Sequence, residues 1–282
     1  MCFPAPVELA QRIRTSRGVI AFDVLGEGPD VVLVHGTPSR AAAWRDVAAG
    51  LAADHRVFVY DLLGFGASER HVDQDVSVGV HGKVLAELLA AWGLAAPAVV
   101  GHDIGGATAL RAHLVEGARV SRLALVDAVV LRPWITPRTR EMQKDTTRYG
   151  TLPDPRLAGV IEEHLRTATA APLDEQRYRS LFEQWDGAEG QALYLRNIRC
   201  LDERDTEPVE ERLSTVTVPT TVIWGADDAW LPAEISHRIA ARIGAPPPTV
   251  IPDAGHFCML DQPRAVTDVL RAFLTDTRAT AA

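Results

Sequence analysis

The chain has little lysine and no excess of positive charge. Lysine occurs only at Lys83 and Lys144, and 37 acidic residues outnumber 29 Lys and Arg, for a net charge of -8. This balance repels a phosphate backbone, and no basic stripe with interleaved aromatic residues offsets it. The composition therefore argues against nucleic-acid binding.

Cysteines and long apolar runs are also scarce. Cys2, Cys200 and Cys258 are an odd number without C-x-x-C spacing, which favours neither a disulfide framework nor a zinc site. No apolar run reaches the roughly 18 residues of a membrane span, and residues 1–14 lack the pattern of a signal peptide. We expect a cytoplasmic protein with no membrane association, no metal and no cofactor.

What is present is enough apolar sequence for one large domain. The 282 residues are 47% hydrophobic, and short β-rich runs alternate with longer helical ones. This alternation predicts an α/β fold with a mostly parallel sheet flanked by helices. The predicted strands of the first half are Val19 to Val24, Val31 to Val34, Arg56 to Tyr60, Ala98 to Gly101 and Arg122 to Val126. The predicted helices between them are Ala41 to Ala53, Val84 to Trp92 and Gly106 to Val115.

The pattern changes in the middle of the chain. From about Arg132 to Leu213 the β-rich runs vanish, and helical stretches such as Arg156 to Thr167 and Asp174 to Trp185 replace them. The β signal returns at Thr221 to Trp224 and at Thr249 to Ile251. We therefore predict a core over residues 1–131 and 214–282, with residues 132–213 inserted as a helical lid.

Asp103 stands between Gly101 and Gly105, after a β-branched run and before a helical one. A strand-to-helix turn with this glycine spacing normally presents a serine nucleophile. An alkylated serine would be an ether that water cannot cleave, whereas an alkylated carboxylate is an ester that can be hydrolysed. The pattern thus predicts a nucleophile that attacks an electrophilic sp³ carbon, as in an epoxide or a carbon–halogen bond. The alternative is that Asp103 only caps the helix.

Five segments of the chain form a recognisable set: His35 to Pro38, Asp61 to Gly66, the Gly101 to Gly106 elbow, Trp224 to Asp228, and Asp253 to Phe257. Together they resemble the α/β-hydrolase fold, in its aspartate-nucleophile branch of epoxide hydrolases and haloalkane or haloacetate dehalogenases. They follow the family's chain order of nucleophile, acid and histidine.

The resemblance implies a role for each catalytic group. Asp103 would attack the substrate, and His256 would deprotonate the water that hydrolyses the resulting ester. Asp228 would orient His256, while the backbone N–H groups of Thr37 and Ile104 would stabilise the developing oxyanion.

The acid has alternatives. Asp227 adjoins Asp228 and is expected to face solvent, whereas Asp127, at the end of a predicted strand, is a second contender because some relatives take the acid from there. Cys258 is expected to be a packed thiol rather than a second nucleophile.

Epoxide hydrolysis and dehalogenation differ in the group that receives the leaving atom, which is an oxygen in the first and a halide in the second. Epoxide hydrolases usually supply lid tyrosines, and Tyr194 lies in a segment similar to theirs, although one residue earlier than the family's pattern. Other candidate proton donors are Tyr149, Tyr178 and Trp185.

Dehalogenases of this fold usually cradle the halide with a Trp just after the nucleophile, where this chain has Ile104, plus an Asn or a second Trp. The haloacetate type commonly has an arginine pair near the nucleophile, and Arg111 lies too far along the helix to replace it. We expect an epoxide hydrolase acting on a small, largely apolar molecule, with a dehalogenase as the alternative. A ligand-binding protein without turnover remains open because the fold alone does not decide function. A carboxyl-ester hydrolase is disfavoured because no serine or cysteine occupies the elbow.

Overall fold

The computed structural model describes residues 9–276. Eight strands form one sheet in the order β1-β2-β4-β3-β5-β6-β7-β8, in which β1 and β2 pair antiparallel and β3 to β8 run parallel. The strands are β1 Gln11–Thr15, β2 Gly18–Leu25, β3 Asp30–Val34, β4 Arg56–Tyr60, β5 Ala98–His102, β6 Arg122–Val126, β7 Thr220–Gly225 and β8 Thr249–Ile251.

The centre of the sheet is covered on both faces. Every residue of β5 and of β6 is buried, as expected for parallel strands between helical layers. The core helices are α1 Arg45–Leu51, α2 Val78–Ala91, α3 Ile104–Leu114, α9 Glu234–Ile243, α10 Cys258–Asp261 and α11 Pro263–Thr275. Helix α1 packs on α11, and α2 packs on α3. The predicted mostly parallel sheet with flanking helices is confirmed.

Between β6 and β7 the described chain contains helices and no strand. These helices are α4 Pro137–Lys144, α5 Pro155–Arg166, α6 Glu175–Phe182, α7 Gly187–Cys200 and α8 Glu207–Glu210. They lie where the lid is expected, while the boundaries at residues 131 and 213 stay predictions.

Some elements differ from the sequence expectation. Strand β1 was not predicted, and α2 begins at Val78 rather than at Val84 because the Ser77 hydroxyl accepts a hydrogen bond from the Val80 N–H and caps the helix. The helix expected from Ala41 to Ala53 is a 3-10 turn over Ala41–Trp44 followed by α1. None of the helices in residues 9–276 is long and apolar enough to span a membrane.

Candidate active site

Asp103 occupies a strained turn between β5 and α3. Its φ of 53° and ψ of -125° are uncommon for a residue with a side chain. A Cβ atom at Gly101 would lie 2.3 Å from the Gly105 carbonyl oxygen, so the tight turn needs glycine there. The Asp103 side chain makes no capping hydrogen bond to α3, which argues against the helix-cap interpretation.

The turn after β3 holds one oxygen of this carboxylate. The Thr37 backbone N–H donates to Asp103 Oδ1 at 2.8 Å. A Cβ at Gly36 would lie 2.3 Å from Asp103 Cβ, so only glycine allows the two turns to approach so closely. Ile104 is the first residue of α3, and its N–H has no acceptor within that helix. Both backbone groups are therefore at the same end of the sheet as the carboxylate.

His256 lies between two carboxylates. Its Nε2 is 3.5 Å from Asp103 Oδ2, and its Nδ1 is 2.9 Å from Asp228 Oδ2. The other Asp228 oxygen, Oδ1, accepts hydrogen bonds from the Trp230 and Leu231 N–H groups at 2.8 and 2.9 Å. The structure thus brings the three side chains together in the order needed for a nucleophile, a base and an orienting acid.

The charge state of His256 follows from these neighbours. Burial alone disfavours the imidazolium, but the carboxylates of Asp228 and Asp103 outweigh it and raise the pKa of His256 well above its usual value. Esterification of Asp103 would remove one of the two negative charges. The same imidazole would then release its proton more readily and become a base.

Two further side chains support the His256 loop. His102 Nε2 lies 2.9 Å from the His256 carbonyl oxygen, and burial lowers the pKa of His102 to about 3, so this imidazole is a neutral donor. The Trp230 indole lies between the rings of His256 and the lid residue His164, with centroid distances of 4.7 and 4.2 Å. Sequence analysis missed this stack because no motif connects the three positions.

A small cavity separates the core from the lid at this point. Asp103 and His256 form part of its wall, and the centre of a water molecule can occupy about 50 Å³ of it. Apolar side chains dominate the wall, among them Ile104, Val129, Trp134, Ile135 and Leu231. The described residues place no lysine or arginine there. Such a cavity suits a small neutral ligand.

Residues 31–269 match the alpha/beta hydrolase family. The chain belongs to this family. Its fold is similar to that of an alpha/beta hydrolase fold protein from Burkholderia ambifaria, with a TM-score of 0.89, 36% sequence identity, and coverage of 94% of this chain and 98% of that one.

Two curated relatives of this alpha/beta hydrolase carry specific names. Haloalkane dehalogenase 2 of Mycobacterium tuberculosis is 25% identical over 260 residues, which are 88% of this chain and 89% of that protein. The 2-hydroxy-6-oxo-6-(2'-aminophenyl)hexa-2,4-dienoic acid hydrolase of Metapseudomonas resinovorans is 26% identical over 270 residues, 89% of this chain and 85% of that protein. The names of these relatives describe different substrates, so the family does not by itself assign one here.

Asp127, the alternative acid of this hydrolase, is bound to a backbone group of β7. Asp127 has a φ of 42°, and its Oδ1 accepts a hydrogen bond from the Gly225 N–H at 2.7 Å. Burial first, and then the charge of Asp228, raise the pKa of Asp127 well above its usual value. The geometry therefore favours Asp228 over Asp127 as the partner of His256. Asp227 is exposed, and Cys258 is fully buried beside Asp127.

Of the four candidate lid donors, Tyr194 on α7 lies in the wall of the cavity. Its hydroxyl has no hydrogen-bond partner within residues 9–276. The other three candidates do not line this cavity. The Trp185 indole N–H is bound to the Pro38 carbonyl at 2.8 Å, Tyr178 faces a separate groove between lid helices, and the Tyr149 hydroxyl accepts from Arg148. We therefore withdraw Tyr149, Tyr178 and Trp185 as donors.

Proposed function

We propose that this hydrolase acts through a covalent alkyl ester on Asp103 and that its substrate is a small, neutral epoxide, which it opens to a vicinal diol. The arrangement of the Asp103 carboxylate carries the proposal. Oδ1 is bound by the Thr37 N–H, and Oδ2 lies 3.5 Å from His256 Nε2 at the cavity wall. One oxygen is thus held in place, while the other is available to attack.

In the first step, Asp103 Oδ2 forms a bond to an epoxide carbon, and the carbon–oxygen bond of the ring breaks. The ring oxygen departs with the electron pair and takes a proton from the Tyr194 hydroxyl. Burial raises the pKa of Tyr194 above its usual value, so the phenol is protonated at neutral pH and can donate. The product of this step is an ester of Asp103 with a free hydroxyl on the neighbouring carbon.

In the second step, water adds to the carboxyl carbon of Asp103 while His256 takes one of its protons. The negative charge develops on Oδ1, beside the N–H groups of Thr37 and Ile104. The bond between the carboxyl carbon and Oδ2 then breaks, and His256 returns the proton to the departing oxygen. The proton left on the new carboxyl group restores the Tyr194 phenol, so the sum of the steps is epoxide plus water to diol.

Two features of the wall disfavour halogenated substrates. Ile104 follows the nucleophile where the dehalogenase pattern has a Trp, so the usual halide donor is missing. A haloacetate would bring a carboxylate into a cavity that has no lysine or arginine in its described wall and already contains Asp103. The similarity to a haloalkane dehalogenase keeps neutral haloalkanes as the second candidate.

The test combines turnover with isotope labelling. We expect diol formation from small epoxides such as 1,2-epoxypropane, with no activity in Asp103→Ala. A single turnover in oxygen-18 water should label the Asp103 carboxylate, as measured by mass spectrometry of the peptide. If the protein converted 1-halopropanes but formed no diol from any epoxide, the substrate class would be haloalkanes and not epoxides. Ester cleavage that survives Asp103→Ala would overturn the covalent mechanism itself.

A further inference from the structure

Asn197 lies one helical turn after Tyr194 on the lid helix α7. Residues three apart on a helix share a face, and both side chains form part of the cavity wall. Asn197 is 3% exposed, and its Nδ2 is a buried donor without a hydrogen-bond partner in the described chain. Because buried amide donors are normally paired, this one calls for an acceptor supplied by a ligand.

The direction of the amide is fixed by its other end. Arg196 Nε donates to Asn197 Oδ1 at 2.8 Å. A guanidinium has no acceptor, so the amide oxygen must face Arg196 and the NH₂ group must point away from it. Arg196 is itself held, since its terminal nitrogens donate to the carbonyl oxygens of His71 and Gly64 at 2.6 and 3.1 Å. The loop after β4 therefore fixes the orientation of the amide.

We propose that Asn197 Nδ2 is a second donor to the leaving oxygen, beside the Tyr194 hydroxyl; this rests on the proposed epoxide hydrolysis. The two donors have different tasks. The phenol transfers its proton to the ring oxygen, whereas the amide keeps its proton and stabilises the negative charge that builds up on that oxygen during ring opening. An epoxide oxygen has two lone pairs, so it can accept both hydrogen bonds.

The kinetic test uses two variants that keep the size of the side chain. Asn197→Asp retains the acceptor for Arg196 but lacks the donor and adds a negative charge. Asn197→Leu lacks the donor without adding a charge. We expect each to slow alkylation of Asp103 by 1,2-epoxypropane by about 10- to 100-fold in single-turnover mixing. Hydrolysis of the ester, once formed, should change little.

A matched probe separates this role from a structural one. Iodide leaves without needing a strong donor, so alkylation by 1-iodopropane should be much less affected than alkylation by the epoxide. A folding defect would slow both probes alike. Thermal midpoints of both variants identify such a defect independently.

Asn197 is the sole asparagine of the chain, which allows a direct observation. Protein labelled with ¹⁵N-asparagine gives one side-chain NH₂ signal. In Asp103→Ala, which binds substrate without reacting, 1,2-epoxypropane should shift one of these two protons downfield.

The outcomes distinguish the two proposals. If the wild type forms no diol from any epoxide, the proposed function fails and this inference with it. If the wild type forms diol while both variants alkylate at the wild-type rate, or the NH₂ signal stays unchanged on saturation, only the role of Asn197 is refuted.

Discussion

The Thr37 backbone N–H and the Asp103 carboxylate are 2.8 Å apart, and this contact makes the two carboxylate oxygens inequivalent. Oδ1 is bound and is the atom on which the oxyanion of ester hydrolysis would develop, whereas Oδ2 faces His256. The first half-reaction needs Oδ2 as the nucleophile and does not need the imidazole as a base. The second needs the imidazole, so changes at His256 should separate them.

Replacement of His256 by glutamine tests that separation. His256→Gln removes the base for water but leaves the nucleophile, so the alkyl ester on Asp103 should accumulate. Intact-mass spectrometry after incubation with an epoxide should show an adduct of one substrate mass in nearly all of the protein. Asp103→Ala is the control and should remain unmodified. Continued diol formation by His256→Gln would contradict the role of the imidazole.

The assignment of the acid is tested by comparing two buried aspartates. Asp228→Asn should slow ester hydrolysis by about 10³- to 10⁴-fold, since the amide favours the wrong tautomer of His256. Asp127→Asn should have a far smaller effect, because Asp127 Oδ1 accepts a hydrogen bond from the Gly225 N–H, whereas the carboxylate beside His256 Nδ1 is that of Asp228. Single-turnover decay of the ester measures both, with the exposed Asp227→Asn as the surface control. If Asp127→Asn slowed ester hydrolysis more than Asp228→Asn, Asp127 would be the acid.

The half-reactions should also differ in pH dependence. In the free enzyme, Asp228 and Asp103 overcome the effect of burial and raise the pKa of His256. Esterification neutralises Asp103, so the pKa that governs ester hydrolysis should be lower than the pKa of His256 in the free enzyme. Hydrolysis should therefore rise with pH through the lower value. NMR titration of the free imidazole and rapid-mixing decay of the ester between pH 5 and pH 9 give the two values, and equal values would refute the argument.

Sequence patterns predicted the sheet because β5 and β6 are buried on both faces and are largely apolar, in Ala98 to Val100 and in Leu123 to Val126. The elbow was predictable because its glycines are required by local geometry. Strand β1 was missed because its sequence, Gln-Arg-Ile-Arg-Thr, is polar and largely exposed, as an antiparallel edge strand can be.

The lid was the least predictable part of the site. Tyr194, Trp185 and Tyr178 all lie on amphipathic helical sequence, and only the packing of α7 against the core decides which of them meets the cavity. A role for the Asn197 amide was not predicted, although the residue ends the segment similar to an epoxide-hydrolase lid, because its orientation depends on Arg196 and on carbonyl groups more than 100 residues away in sequence. Contacts of this kind are set by tertiary structure.

The proton donor is tested by removing one hydroxyl. Tyr194→Phe keeps the ring in the cavity wall but removes the acid, so alkylation by an epoxide should fall by about 10²-fold or more. Tyr178→Phe is the matched control, since that ring faces a different groove and its loss of a hydroxyl should leave the rate unchanged. Single-turnover rate constants of ester formation measure both. An unchanged rate in Tyr194→Phe would remove this residue from the mechanism.

His81, on α2, provides a test of stability that does not involve the active site. Burial lowers the pKa of this fully buried imidazole to about 3, whereas the unfolded chain titrates near 6.5. Because the unfolded state then binds more protons, stability should be highest above pH 6.5 and fall as the pH drops towards 3. Titration of this one group should lower the free energy of unfolding at pH 5 by about 2 kcal/mol relative to pH 8. His81→Gln should therefore reduce the difference in urea unfolding free energy between pH 8 and pH 5 by about that amount. An unaltered difference would mean that His81 titrates normally in the folded protein.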